Sequence, residues 1–201
     1  MTDLAAEDLA AIYPKPTPRV IAKARPAIDV HAKNFIAMSP FCVLATSGTD
    51  GSVDASPRGG HPGFVHVDGP NRLLMPDRHG NNRIDSFKNI VEGTGFVQLL
   101  FFVPGIDETL RVGGKGTLSS APELLAAMEE FGKPPRAVLC IAVQEAYFHC
   151  GKALMRSRLW SPEARVQRTA FPSIAEVIHD QTALGEPEAQ AIVEARYREQ
   201  L

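Results

Sequence analysis

From Phe41 onward the chain breaks into short apolar runs, each closed by glycine, proline or aspartate, and this rhythm constrains the fold more than any other feature. Phe41-Cys42-Val43-Leu44-Ala45-Thr46 is a continuous run of strand formers, which suits a strand buried on both faces. Gly48-Thr49-Asp50-Gly51 then turns the chain, with Asp50-Gly51 supplying positive-φ geometry, and Val53–Pro57 returns antiparallel. Phe64–Val67 and Leu73–Met75 read as a second pair around Asp68-Gly69-Pro70-Asn71. Phe96–Val103, Thr109–Leu118 and Ala137–Val143 complete a set of about seven strands. Sixteen glycines and sixteen prolines among 201 residues exceed the usual share of about 12 % and supply the turns. Spacing this short favours an antiparallel barrel over βαβ units.

Helical patterns flank and punctuate the strands. Asp3–Ile12 ends at Pro14, Pro16 and Pro18, which cannot continue a helix. Asp29–Met38 starts on a capping Asp29 and stops before Pro40. Asn82–Val91 and Pro122–Phe131 interrupt the strand series, and the tail from Ser173 is helical and acidic. The expected organisation is a helical extension over 1–40, a barrel core over 41–149 and a basic, then helical segment over 150–201.

A net charge of −2 removes the bulk electrostatics of a nucleic-acid binder. The longest apolar stretch, Phe96–Val103, is far shorter than the ~20 residues of a membrane span. Three cysteines without a C-x-x-C pair argue for a reducing compartment, and the acidic N-terminus does not resemble a signal peptide. A cytoplasmic protein with neither nucleic acid nor membrane as partner is expected.

Three clusters could carry chemistry. In Pro76-Asp77-Arg78-His79-Gly80-Asn81-Asn82-Arg83 an asparagine caps the following helix, which puts Arg83 in its first turn. A cation there opposes the helix dipole unless an anion docks at the same helix start; the alternative is a solvated arginine paired with a nearby acid. Ser56-Pro57-Arg58-Gly59-Gly60 presents a second arginine beside two glycines, and turns of this kind are common. In Cys150–Trp160, Lys152 and Arg156 alternate with apolar residues up to Trp160, which reads either as a positive lid over an aromatic ligand or as a surface helix with a half-buried Trp. Gly113-Gly114-Lys115-Gly116-Thr117 fails the P-loop pattern, because Gly116 follows the lysine and Thr109 stands where the first glycine belongs; strand-terminal glycines at a bulge account for it better. The six histidines show no metal-ligand spacing.

Taken in order, Phe41–Thr46, Ala55-Ser56-Pro57-Arg58-Gly59, Pro62-Gly63-Phe64, Pro76-Asp77-Arg78, Gly80-Asn81-Asn82-Arg83, Leu99–Gly105, Thr109-Leu110-Arg111-Val112 and the Cys150–Trp160 block resemble the FMN-binding pyridoxamine 5′-phosphate oxidase-like family. The resemblance runs from about Asp29 to Pro162. It implies a split β-barrel, mainly β with flanking helices, that dimerises and holds FMN in clefts between subunits. It implies flavin contacts at Ser56 and Arg58, at Met75, Pro76, Asn82 and Arg83, and at Thr109 and Arg111 facing the partner's flavin. Lys152, Arg156 and Trp160 join them through the lid reading. The Trp and Arg/His-rich motif that holds pyridoxal phosphate in the oxidases has no equivalent after Trp160, so a vitamin B6 substrate is not implied. The expected activity is FMN-dependent oxidoreduction of a small molecule with NAD(P)H as a candidate donor. In this reading the protein places positive charge near the flavin pyrimidine and no side chain acts as acid or base. Two rivals remain open here: a non-catalytic flavin store, and a haem-handling barrel with His149 or His66 as ligand.

Overall fold

The structure is a computed structural model and describes residues 3–200. Two short helices, α1 (Ala6–Ile12) and α2 (Pro18–Ala22), precede the core helix α3 (Val30–Met38). Pro18 opens α2 from its first turn, where a missing N–H costs nothing, although the sequence pattern marks it only as a breaker. Asp29 caps α3 as expected, accepting from the Ala32 amide at 2.8 Å.

Seven antiparallel strands follow: β1 (Phe41–Ser47), β2 (Val53–Gly59), β3 (His66–Val67), β4 (Arg72–Pro76), β5 (Phe96–Phe102), β6 (Thr109–Ser119) and β7 (Val138–His149). They form one sheet in the order β2-β1-β5-β6-β7-β4-β3. The sheet curls so that its β2 end meets β4 without a hydrogen-bonded ladder, which leaves the barrel split along that seam. Helix α4 (Asp85–Glu92) packs against β1, β6 and β2, burying Ser86, Phe87 and Ile90. The core combines Phe35 and Ile36 of α3 with Leu44, Leu73, Leu99, Phe101 and other alternate strand residues.

The mainly-β split barrel with flanking helices is thus as the sequence implies, with local departures. β1 alternates buried and half-buried positions, so only one face is closed. Its other face, with that of β5, leaves Phe41 and Phe96 exposed. β7 runs to His149 rather than Val143, because β6 pairs with it along its whole length. The glycines lie mid-strand, where the register shifts between Gly113 and Gly114 in a bulge. Helix α5 (Pro122–Ala127) ends before the turn in which Glu130 and Lys133 bridge and Phe131 takes φ 56°. After β7 come α6 (Lys152–Ser157), two single 3₁₀ turns, α7 (Ile174–Thr182) and α8 (Gln190–Gln200).

Candidate functional site

A cleft of about 1080 Å³ opens along the seam between β2 and β4. It draws its walls from β2, from the loop after β4, from the start of α4 and from α8. Period-2 alternation turns Asp54, Ser56 and Arg58 of β2 inward, away from exposed Val53, Ala55 and Pro57. Five of the expected contact residues, Ser56, Arg58, Pro76, Asn82 and Arg83, line this one cleft.

Its floor is a directed hydrogen-bond chain. Arg58 Nε donates to Ser56 Oγ at 3.2 Å, and Ser56 and Ser86 hydroxyls meet at 3.1 Å. Ser86 Oγ donates to Asp54. Because a guanidinium only donates and a carboxylate only accepts, the Ser56 proton must point to Ser86. Ser56 therefore keeps one lone pair for a ligand donor. Arg58 also reaches Asp77 Oδ1 at 3.4 Å and lies 5.1 Å from the Phe87 ring centroid. Burial raises the Asp77 pKa above the ordinary value, against the lowering influence of Arg58 and Arg136. Arg78 is structural: it donates to Met128 O at 2.8 Å and to Glu130 at 2.9 Å, tying the loop to the segment after α5.

The geometry at Arg83 corrects the sequence reading. Helix α4 begins at Asp85 with Ile84 at its cap, so Arg83 is not in the first turn and no asparagine caps the helix. Asn81 instead accepts from the Arg83 amide at 2.9 Å, and Asn82 adopts φ 60°. Arg83 pairs with Asp85 at 2.9 Å with its side chain 78 % exposed.

The other expected residues lie elsewhere. The Met75 side chain is in the core, 1 % exposed. Thr109 pairs across the ladder with His149, and Arg111 bonds Glu145 at 2.7 Å while covering Tyr147 at 4.2 Å. His149 sits beside them with its pKa lowered by burial and then by Arg111 and Lys23. Trp160 Nε1 donates to Ile106 O at 2.9 Å, so the ring anchors the 150–160 segment near the start of β6. Lys152 and Arg156 are exposed on α6 and do not line the cleft.

Two cleft features are absent from the sequence reading. Arg136, just before β7, bonds Asn82 Oδ1 at 2.7 Å and His79 Nδ1 at 3.0 Å. Its signal was Lys133-Pro134-Pro135-Arg136, a cation fixed by prolines at the start of an apolar strand. Arg196, Tyr197 and Gln200 of α8 complete the wall, although the acidic tail adds little to the motif resemblance.

The fold and site together are those of a split barrel with an arginine-lined cleft at its seam. The chain belongs to the pyridoxamine 5′-phosphate oxidase family, whose sequence profile it matches over residues 28–150. HupZ of Group A Streptococcus, in a single-site variant, superposes with TM-score 0.50 at 16 % identity, over 61 % of this chain and 99 % of its own. An FMN-binding protein from Syntrophomonas wolfei gives 0.45 at 12 % identity, over 66 % of this chain and 87 % of its own. A pyridoxinephosphate oxidase family protein from Clostridium acetobutylicum gives 0.44 at 11 % identity, over 60 % and 86 %. Identity at this level to HupZ shows the fold alone. No curated protein matches the chain.

Proposed function

We propose that the seam cleft binds FMN and that the protein is an FMN-dependent oxidoreductase acting on a small molecule. The observation that carries this reading is the convergence of Ser56, Arg58, Pro76, Asn82 and Arg83, from separate stretches of chain, on one cleft. The wall fits a phosphorylated flavin chemically. Ser56 offers an acceptor to a ring N–H, Phe64 and Phe87 give apolar sides, and the arginines suit a phosphate. Bound FMN supplies the electron transfer between a donor such as NAD(P)H and the substrate. The chain's own part is to bind and orient: Arg58, held by Ser56 and Asp77, keeps a fixed positive charge in the wall.

The same reading takes the protein to be a cytoplasmic homodimer, with the 1–40 and 150–201 segments flanking the barrel. No helix among the described residues is long and apolar enough to cross a membrane. In the haem alternative a single chain can offer His149 or His66 to one haem, not both. His66 aligns through Leu74 with Cys140, nine residues along β7 from His149, so the two histidines stand about 30 Å apart at ~3.3 Å per residue. They cannot grip one haem from a single chain.

The absorbance spectrum of the purified protein, with mass spectrometry of the released ligand, tests the proposal. FMN is expected; FAD or no flavin, even after incubation with FMN, overturns it. Bleaching of the flavin bands on anaerobic mixing with NADH or NADPH tests the oxidoreductase part, and no bleaching with any donor leaves only a flavin store.

A further inference from the structure

We infer that helix α8 is a detachable wall of the seam cleft and that Tyr197 is the ligand contact it contributes, so that the occupant enters and leaves as α8 lifts away. The choice of FMN as its probe rests on the flavin reading above. Val193, Arg196, Tyr197 and Gln200 follow the i, i+3, i+4, i+7 spacing of one helix face. Val193 is fully buried, and the next residues of that face, Arg196, Tyr197 and Gln200, line the cleft. The matched family profile stops at residue 150, so this part of the wall lies outside it.

The hairpin of α7 and α8 is bonded to itself far more than to the barrel. Ser173, 2 % exposed, donates from Oγ to Glu188 O at 2.6 Å and caps α7 by accepting from the Glu176 amide at 3.1 Å. Arg168 braces the approach, donating to Phe171 O at 2.6 Å and to Gln190 Oε1. Arg196 pairs with Glu188 at 2.8 Å, so its charge travels with the hairpin. Against these ties, the described residues show one hydrogen bond between the barrel and α7 or α8. Lys133 Nζ donates to Glu199 O at 3.5 Å, exposed to water and beyond the usual length of such a bond. A segment joined to the rest by so little opens locally at a fraction of the global unfolding free energy.

Tyr197 is the residue of this wall that is free to meet a ligand. It lines the cleft while half exposed, and among the described residues its hydroxyl makes no hydrogen bond and its ring no aromatic or cation–π pair. An aromatic side chain set on a concave surface without a protein partner offers the occupant a planar apolar face and a polar tip. Phe64 and Phe87 give the cleft apolar sides from the barrel, and α8 adds Tyr197 from a third side. A planar ligand among them ties α8 to the barrel through itself, which favours the closed wall over the open one.

Hydrogen exchange of the ligand-free, full-length protein, read by mass spectrometry, tests the wall itself. Amides of 174–200 should exchange together, at least about 10-fold faster than those of β6 and β7, and added FMN should slow them. Protection of α8 equal to that of β6 and β7 without ligand overturns the detachable wall. The return of free-flavin fluorescence in stopped flow then tests Tyr197. Tyr197→Ala should raise the FMN dissociation rate by about 2- to 13-fold, the range for one aromatic contact, and leave the thermal midpoint of the ligand-free protein unchanged. Tyr197→Phe should keep the wild-type rate, because the ring makes the contact. An unchanged rate in Tyr197→Ala, an equal rise in Tyr197→Phe, or bound FMN that leaves exchange in α8 unaltered overturns the contact. If wild type takes up no FMN while 174–200 still exchanges ahead of the strands, the flavin reading and the contact to FMN fall and the detachable wall stands.

Discussion

Asp77 sits between two arginines, and burial still raises its pKa from the ordinary 3.8. An aspartate whose folded-state pKa is raised favours the folded state while both states are protonated, and that contribution is lost as pH rises through the folded-state value. Asp77→Asn should thus match wild type near about pH 3 and gain on it towards about pH 6. Thermal midpoints of both proteins across that range check this; a variant that falls behind as pH rises would mean that the Arg58 partnership outweighs burial. Residues of this kind explain what was illegible in the sequence. Arg136 is 59 positions from Asp77 in the chain yet meets it at the end of a ladder, so its place in the cleft wall is a tertiary fact. Asn81 and Asn82 both carry capping chemistry, and local pattern cannot say that one would close a turn while the other enters the left-handed region.

Among the elements, strands were the most legible, because alternation and turn residues act locally. The second half of β7 was not: Gln144 to His149 mixes polar and aromatic residues across a bulge, and only its pairing with β6 makes it a strand. That bulge is tightly specified. A Cβ on Gly114 would stand 2.1 Å from the Ala142 carbonyl oxygen, whereas one on Gly113 would meet the end of the Gln98 side chain at 2.5 Å. Backbone cannot step aside as a flexible amide can. Gly114→Ala should cost at least about 1–3 kcal/mol by overpacking, and Gly113→Ala less, as urea unfolding will measure. Equal costs would show that the backbone at the bulge yields as easily as Gln98. Helix α8 was legible as a helix from its pattern, but its place at the cleft follows from packing around Val193, which is fully buried.

At the scale of the molecule, the sheet face turned away from the core remains uncovered. Val53 and Phe96 at one end of it and Phe41 at the other are 78 %, 51 % and 39 % exposed, large apolar side chains that a second copy of the chain would cover. Light scattering at micromolar concentration should give twice the 21.8 kDa chain mass, and Phe96→Glu should shift it towards the monomer. A wild-type mass equal to one chain would refute the dimer. The seam has a mechanical consequence as well. β2 and β4 are separated by four intervening strands in the hydrogen-bonded order, yet a ligand in the cleft would touch both. It would act as a rivet across the open joint of the barrel, so that prying the joint apart means losing the ligand. At a free concentration one hundred times its dissociation constant, such a rivet adds about 2.7 kcal/mol against unfolding, close to what a disulfide contributes, in a chain that spends none of its three cysteines on one.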